Sequence, residues 1–387
     1  MLDPLTATPA ESAPPRRATW FELFGDLVFV AAVGQIMHRV GAHPDAGAVA
    51  AAAGLFVPLW WAWVLYAVHA NRADRDNTAH RLLTTAGLTG VVGMAVFAGA
   101  VGHDTAMDAG FVLSYLIARA GVAALYGWDT RRNPVLRPVF GVFASVSALT
   151  AVGWLGGLLL DAPWRYVVWG IAMVVELVLP LLAGPRLARV EQEPEHLRER
   201  FGLFTIIVLG EAVLGFTNGL VEARTAGWAV VTGAAAFALT AGLWWSYFNA
   251  SSTRAGAHTQ LARGGRLLNI YVFGHLPVQL GLALTGASMS IAVVGGGSHL
   301  NATSAACIIG GVALYLLAVA GVRAAFTGLR ERVVLIRFAT AATVLALLPV
   351  AVHIPVAALL TALAALMAVS VVAETSAHRR RMRSAAQ

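Results

Sequence analysis

The sequence predicts an all-α polytopic membrane protein, with about twelve transmembrane helices arranged as two parallel six-helix repeats. Three observations carry that expectation. Of 387 residues, 58% are hydrophobic and only 12% are charged, too apolar a balance for a soluble domain of this length. A spanning helix needs about 20 apolar residues, and runs of that kind start near residues 18, 46, 82, 107, 138, 165, 201, 227, 270, 303, 335 and 356. Several short stretches also occur twice, in the same order.

Taken in order, residues 1–17, "MLDPLTATPAESAPPRR", are polar and Pro-rich, without the apolar core of a signal peptide. They are expected to form a disordered cytoplasmic tail. Residues 18–184 hold the first six runs. Residues 185–200, "PRLARVEQEPEHLRER", are charged and read as a cytoplasmic linker with some helix. Residues 201–376 hold the second six, and 377–387 form a basic cytoplasmic tail. The last two runs are parted by "HIPVA", where Pro355 disfavours helix at the residue before it.

All 27 basic Lys/Arg positions are arginine, and their placement sets the orientation. Arg16 and Arg17 precede the first run, and Arg379, Arg380, Arg381 and Arg383 follow the last. The even-numbered loops carry Arg72, Arg75 and Arg81; Arg131, Arg132 and Arg137; Arg186, Arg189, Arg198 and Arg200; Arg254, Arg263 and Arg266; and Arg330 and Arg332, with Arg323 and Arg337 at the edges of the last. The odd-numbered loops offer Arg39, Arg165 and Arg224. Both termini and the even loops are therefore expected in the cytoplasm. Arginines spread over short loops do not form the basic face that nucleic acid requires, so the net charge of +7 is not read as nucleic-acid binding. A single cysteine, Cys307, excludes an intrachain disulfide.

The repeat rests on four matches. "FELFGDLVFV" at Phe21 resembles "FGLFTIIVLG" at Phe201, and "WWAWVLY" at Trp60 resembles "WWSYFNA" at Trp244. "RLL" recurs at Arg81 and Arg266, and "YLIARAGV" at Tyr115 resembles "YLLAVAGV" at Tyr315. Six runs per half give both halves one orientation, the parallel arrangement in which transporter sites lie between repeats.

Ionisable residues inside apolar runs are rare and face the bundle interior. Here they are Glu22 and Asp26 in the first run, Arg119 in the fourth, Glu176 in the sixth, Glu211 in the seventh and His275 in the ninth. Arg119 is expected to neutralise Glu176 or Glu211. The remaining acids must carry a proton, reach water or pair with loop arginines such as Arg81 or Arg266. Glu22 has a second reading as a helix-start carboxylate favoured by the macrodipole. Trp60, Trp61 and Trp63, with Tyr66, and Trp244, Trp245 and Tyr247 read as an interfacial aromatic belt or as a stacking wall for a planar or hydrophobic ligand. His69, His80 and His258 lack zinc-site spacing, and His38 and His353 lie near outer helix ends. No G-x-x-x-x-G-K loop supports nucleotide-driven work. No metal or cofactor is expected.

"TWFELFGDLVFVAAV", "RERFGLFTIIVLGEAVLG", "WWSYF" and "VFGHLPVQLGLAL" resemble the bacterial low temperature requirement A (LtrA) family, over about residues 18–375. The resemblance implies a polytopic inner-membrane protein. It carries over Glu22 and Asp26 from the first motif, Glu211 from the second and His275 from the third. Gly25 stands where a bulkier aromatic is usual, and Asn249 where an acid is common, which argues against a fixed proton relay through that position.

Two functions follow. In a proton-linked secondary transporter, Asp26 and Glu211 exchange protons while Arg119 and His275 change partners, around a site lined by Trp60, Trp61, Trp244 and Trp245. In an intramembrane enzyme, Asp26, Glu176 or Glu211 is the general acid on a lipid or isoprenoid, and tryptophans stabilise cationic intermediates. The expected partners are membrane lipids, a small or lipophilic substrate and protons.

Overall fold

The computed structural model describes residues 18–72, 77–183, 193–224, 227–251 and 265–385. The helices are α1 (Trp20–Ala42), α2 (Ala46–Arg72), α3 (Thr78–Ala98), α4 (Thr105–Thr130), α5 (Arg137–Gly157), α6 (Trp164–Leu182), α7 (Pro194–Glu222), α8 (Gly227–Ser251), α9 (Arg266–Ala287), the short α10 (Met289–Val294), α11 (Ala302–Thr327), α12 (Arg332–Ala346) and α13 (Val356–Ala385). The described residues contain no strand. The N-terminal tail lies outside them, as do residues 185–192 of the expected linker and Arg75, Arg254, His258 and Arg263.

Helix starts follow local chemistry. Asn77, Asp104, Asn301 and Glu331 each accept the backbone N–H of the third residue of α3, α4, α11 and α12, supplying partners for amides that the helix leaves unpaired. The main departure from the sequence reading is α7, which starts at Pro194 rather than near 201. Hydropathy registers only the part of a helix inside hydrocarbon. The polar first turns of α7 continue the same helix, so part of the expected linker is helical. Likewise α13 runs without a break through the expected basic tail to Ala385.

Among the described residues, eleven segments are long and apolar enough to span a bilayer. The exception among the expected twelve is α12, with 15 residues, about 22 Å of helix. It nonetheless returns the chain along α11. The N–H of Val356 donates to the Ser298 carbonyl at 3.0 Å, and that of Ala357 to the Gly296 carbonyl at 3.2 Å. The start of α13 therefore lies beside the start of α11, so α12 and residues 347–355 carry the chain back along the full length of α11.

Consecutive hairpins α3/α4 and α9/α11 pack most extensively. At the second, a Cβ on Gly281 would come within 2.6 Å of the Gly311 carbonyl and 2.9 Å of the Tyr315 N. Only glycine permits that approach, the usual device for packing helices where lipid provides no hydrophobic drive. Between the halves, α1 packs on α7 and α9, and α2 on the same two helices.

Candidate functional site

Three helix ends meet on one face of the bundle: the starts of α1 and α7 and the end of α2. Thr19 and Glu22 cap α1 reciprocally. The Glu22 N–H donates to Thr19 Oγ1 at 3.2 Å, and the Thr19 N–H to Glu22 Oε2 at 2.8 Å, a capping box. This sets Glu22 one turn from Asp26 on one helix face. From α7, Arg200 Nη2 donates to Asp26 Oδ1 at 2.6 Å, and Nη1 lies 3.7 Å from Glu22 Oε1. Trp63 on α2 donates its indole N–H to the same Asp26 oxygen at 2.8 Å.

The start of α7 is pinned by Asn71. Its Nδ2 donates to the Glu193 carbonyl at 2.7 Å, and its Oδ1 accepts the Glu193 N–H at 3.1 Å. The same Nδ2 lies 3.3 Å from His196 Nδ1. An amide nitrogen can only donate, which leaves the imidazole proton on Nε2, 3.3 Å from Glu22 Oε2. One arginine and one histidine from α7 thus face two carboxylates from α1.

Asp26 is fully buried, yet its Oδ2 has no partner, and neither has Arg200 Nε. Beside them is a cavity of about 30 Å³ bordered by Glu22, Asp26, Tyr66, His69, Thr84 and Arg200, among others. It is large enough for about one or two waters. On the cavity wall, His69 Nε2 meets Asp129 Oδ2 at 3.0 Å, and the His69 and His80 rings stack with centroids 5.5 Å apart. Among the described residues, no three His, Cys, Asp or Glu side chains converge as metal ligands do.

The aromatic residues of α2 form a seam against α7 and α9. Trp63 stacks on Phe204 at 4.1 Å and meets Phe201 edge-on at 4.8 Å. Trp61 stacks on Phe273 at 5.8 Å. Trp60 donates to Gln279 Oε1 at 2.6 Å, and Gln279 Nε2 donates to Thr205 Oγ1 at 3.3 Å. Trp244 and Trp245 do not join this seam; they lie 45% and 53% exposed on the outer surface of α8. Adjacent helix positions in α2 are covered on both sides by other helices, whereas this part of α8 faces outward.

The other ionisable positions separate into three places. Arg119 pairs with Glu176, which also binds the Tyr115 hydroxyl and accepts the Trp154 indole N–H at 2.9 Å. Arg119 Nη2 donates to Ser147 Oγ at 2.6 Å. This cluster lies within α4, α5 and α6. His275 Nδ1 lies 2.6 Å from the Tyr271 carbonyl, which fixes its proton there, so Nε2 accepts the Tyr247 hydroxyl at 3.0 Å. Glu211 has no ion-pair partner among the described residues and lies half-buried in α7, against α1. A Cβ on Gly34 would sit 2.7 Å from its Oε1, so α1 leaves room for the carboxyl only because residue 34 is glycine.

Sequence reasoning misses Arg200, His196 and Asn71 as members of the site. The available signal is the i, i+4 spacing of His196 and Arg200 ahead of an apolar run, the same spacing as Glu22 and Asp26. It also misses a buried pair between α12 and α13, where Arg337 Nη2 and Nε donate to Glu374 Oε2 and Oε1 at 2.7 and 3.0 Å.

The family model described as "Bacterial low temperature requirement A protein (LtrA)" matches residues 17–372. A curated relative from Rhizobium meliloti (strain 1021), named "Uncharacterized protein RA0937", is 28% identical over 289 residues, covering 71% of this chain and 69% of the relative.

Proposed function

The chain belongs to the bacterial low temperature requirement A (LtrA) family, and from that premise we propose that it is a proton-linked secondary transporter of a small or lipophilic molecule in the inner membrane, with both termini cytoplasmic. The observation that carries this reading is Arg200 of α7 held between Glu22 and Asp26 of α1. A proton arriving on Asp26 removes the charge that holds Arg200 and leaves Glu22 as its carboxylate partner. Since α1 and α7 open the two halves, that exchange alters how the halves grip each other. Alternating access by rocking one half against the other needs such an element.

Arg119 and His275 are enclosed by their own hydrogen-bond partners, so Arg200 is the exchanging cation in this proposal. Glu211, set between α7 and α1, is the second proton acceptor. The shared face of the α1 and α7 starts suits parallel six-crossing repeats, and the arginine-rich loops support a cytoplasmic location for that face. Trp60 and Trp61 line a substrate path only when the seam parts.

A second reading is favoured by one feature. Glu211 borders the outward-facing Ile206, Val213 and Leu214 of α7, where a lipophilic substrate could reach a general acid. Proteoliposomes separate the two. Transport predicts that an imposed pH gradient changes the flux of at least one solute in a broad panel and that Asp26→Asn abolishes the change. No gradient effect on any solute, together with an altered lipid extract in cells lacking the protein, favours the enzyme.

A further inference from the structure

We propose that the turn between α4 and α5 binds the headgroup of an anionic membrane lipid bearing two phosphates, diphosphatidylglycerol. Residues 128–137, "WDTRRNPVLR", carry three arginines and one acid. The acid, Asp129, is buried and bonded to His69. Arg131, Arg132 and Arg137 are exposed, and among the described residues none of them pairs with a carboxylate. Elsewhere Arg200, Arg323 and Arg337 are each held by an acid. The charge of this turn is instead open to a partner outside the chain.

Two of the arginines are held in place. The guanidinium carbons of Arg131 and Arg132 lie over the Trp128 ring, 5.7 and 5.8 Å from its centroid, within the reach of cation–π attraction. Stacking uses the flat face of a guanidinium. Its five N–H donors point out from the edge, where a phosphate takes them in pairs. Trp128 therefore orients two forks without consuming their donors. The backbone beneath them is fixed as well. The N–H groups of Arg132 and Asn133 donate to the Asp129 carbonyl at 3.0 and 2.8 Å, and Asn133 Oδ1 accepts the Val135 N–H at 3.2 Å. The short 3₁₀ turn Pro134–Leu136 then delivers Arg137 as the first residue of α5. Donors ordered before the ligand arrives lower the entropy cost of binding it.

Position identifies the source of the phosphate. With 26 residues, α4 is about 39 Å long, against about 30 Å of hydrocarbon, so its end reaches the headgroup layer. Of the eleven described spans, the one through α5 is the least covered by the rest of the protein, which brings lipid beside the arginines. Val135, 57% exposed between Arg132 and Arg137, gives the turn an apolar tip that fits this boundary. Charge then selects the headgroup. An ammonium headgroup meets three arginines and no open carboxylate. A single phosphate fills one oriented fork, whereas two phosphates on one glycerol fill both. The site is independent of whether the protein moves a solute.

Native mass spectrometry of the full-length protein, released from nanodiscs of equal phosphatidylethanolamine, phosphatidylglycerol and diphosphatidylglycerol, tests this. Wild type should retain diphosphatidylglycerol in preference to the other two. The double variant Arg131→Gln/Arg132→Gln should lower its occupancy at least about tenfold, through lost charge-assisted bonds. Arg330→Gln/Arg332→Gln, which removes two exposed arginines at the start of α12, should leave it unchanged. Trp128→Leu keeps every charge but removes both stacking contacts, and should lower occupancy about fivefold; Trp128→Phe should recover most of that loss. Phosphatidylglycerol retained as well as diphosphatidylglycerol overturns the proposal. So does a Trp128→Leu protein that matches wild type, an effect of the two double variants that is equal, or displacement of the lipid by equimolar inorganic pyrophosphate, which would mark a site for soluble anions. If Trp128→Leu fails to fold, unchanged occupancy in Arg131→Gln/Arg132→Gln overturns the proposal alone.

Discussion

Asp26 and Arg200 offer a quantitative test of the link between the two halves. Arg200→Gln strands a fully buried carboxylate, leaving Asp26 the Trp63 N–H as its remaining side-chain donor among the described residues. Removing one partner of a buried ion pair costs about 3–5 kcal/mol. Asp26→Asn is milder, because Arg200 keeps Glu22 at 3.7 Å; the loss of charge-assisted bonding is about 1.5–3 kcal/mol. In the double variant neither stranded charge exists, so its cost falls well below the sum of the single costs. The expected coupling is at least about 2 kcal/mol, against the 0.3–0.5 kcal/mol by which distant, unconnected substitutions fail to add. Equilibrium unfolding in mixed micelles, titrated with a denaturing detergent, measures all four proteins. Additivity within about 0.5 kcal/mol would refute the geometry from which the proposed mechanism starts.

Three further outcomes follow from the same contacts. Gly34→Ala forces a methyl group against Glu211 Oε1 and should cost about 1–3 kcal/mol, as overpacking does; Glu211→Ala in the same protein should recover most of it by the same unfolding titration. Glu211→Gln alone should change stability by less than about 0.5 kcal/mol, because no ion pair is lost, yet should reduce pH-driven flux in proteoliposomes. Arg337→Gln, which strips both guanidinium bonds from Glu374, should destabilise by about 3–5 kcal/mol without changing the pH dependence of flux.

Much of the helical architecture is legible because bilayer physics writes it into composition: span length and isolated charges can be counted along the chain. What is less legible depends on where a helix leaves the hydrocarbon. Arg200 reads as part of a linker, although α7 has already begun at Pro194, and that misplacement hides the partner of Asp26. Arg337 reads as a loop-edge arginine for a similar reason, since α12 begins at Arg332 and carries it inward to Glu374. The tryptophan motifs differ for another reason. "WWAWVLY" and "WWSYF" look equivalent in sequence, but α2 lies between α7 and α9 while α8 faces outward, and tertiary position, not local pattern, decides which of them is buried.

Counting charge partners sharpens the role of Glu211. An excess of buried acids over deep arginines is an incomplete ledger until the helix ends are placed. With them placed, Asp26 has Arg200, Asp108 has Arg165, Asp129 has His69, Glu176 has Arg119 and Glu374 has Arg337. Glu22 shares Arg200 and His196. Glu211 has no such base among the described residues. Leaving an acid ionised inside an apolar span costs roughly 2.5–3.5 kcal/mol even on the most lenient scale, a cost avoided by the protonated acid, which glutamine matches in shape and charge. A carboxyl that contributes no pairing, in a niche that requires a glycine on the facing helix, is hard to explain by stability. It is explained if the group must gain and lose a proton, and Glu211→Gln separates the two because it keeps the shape and removes only that capacity.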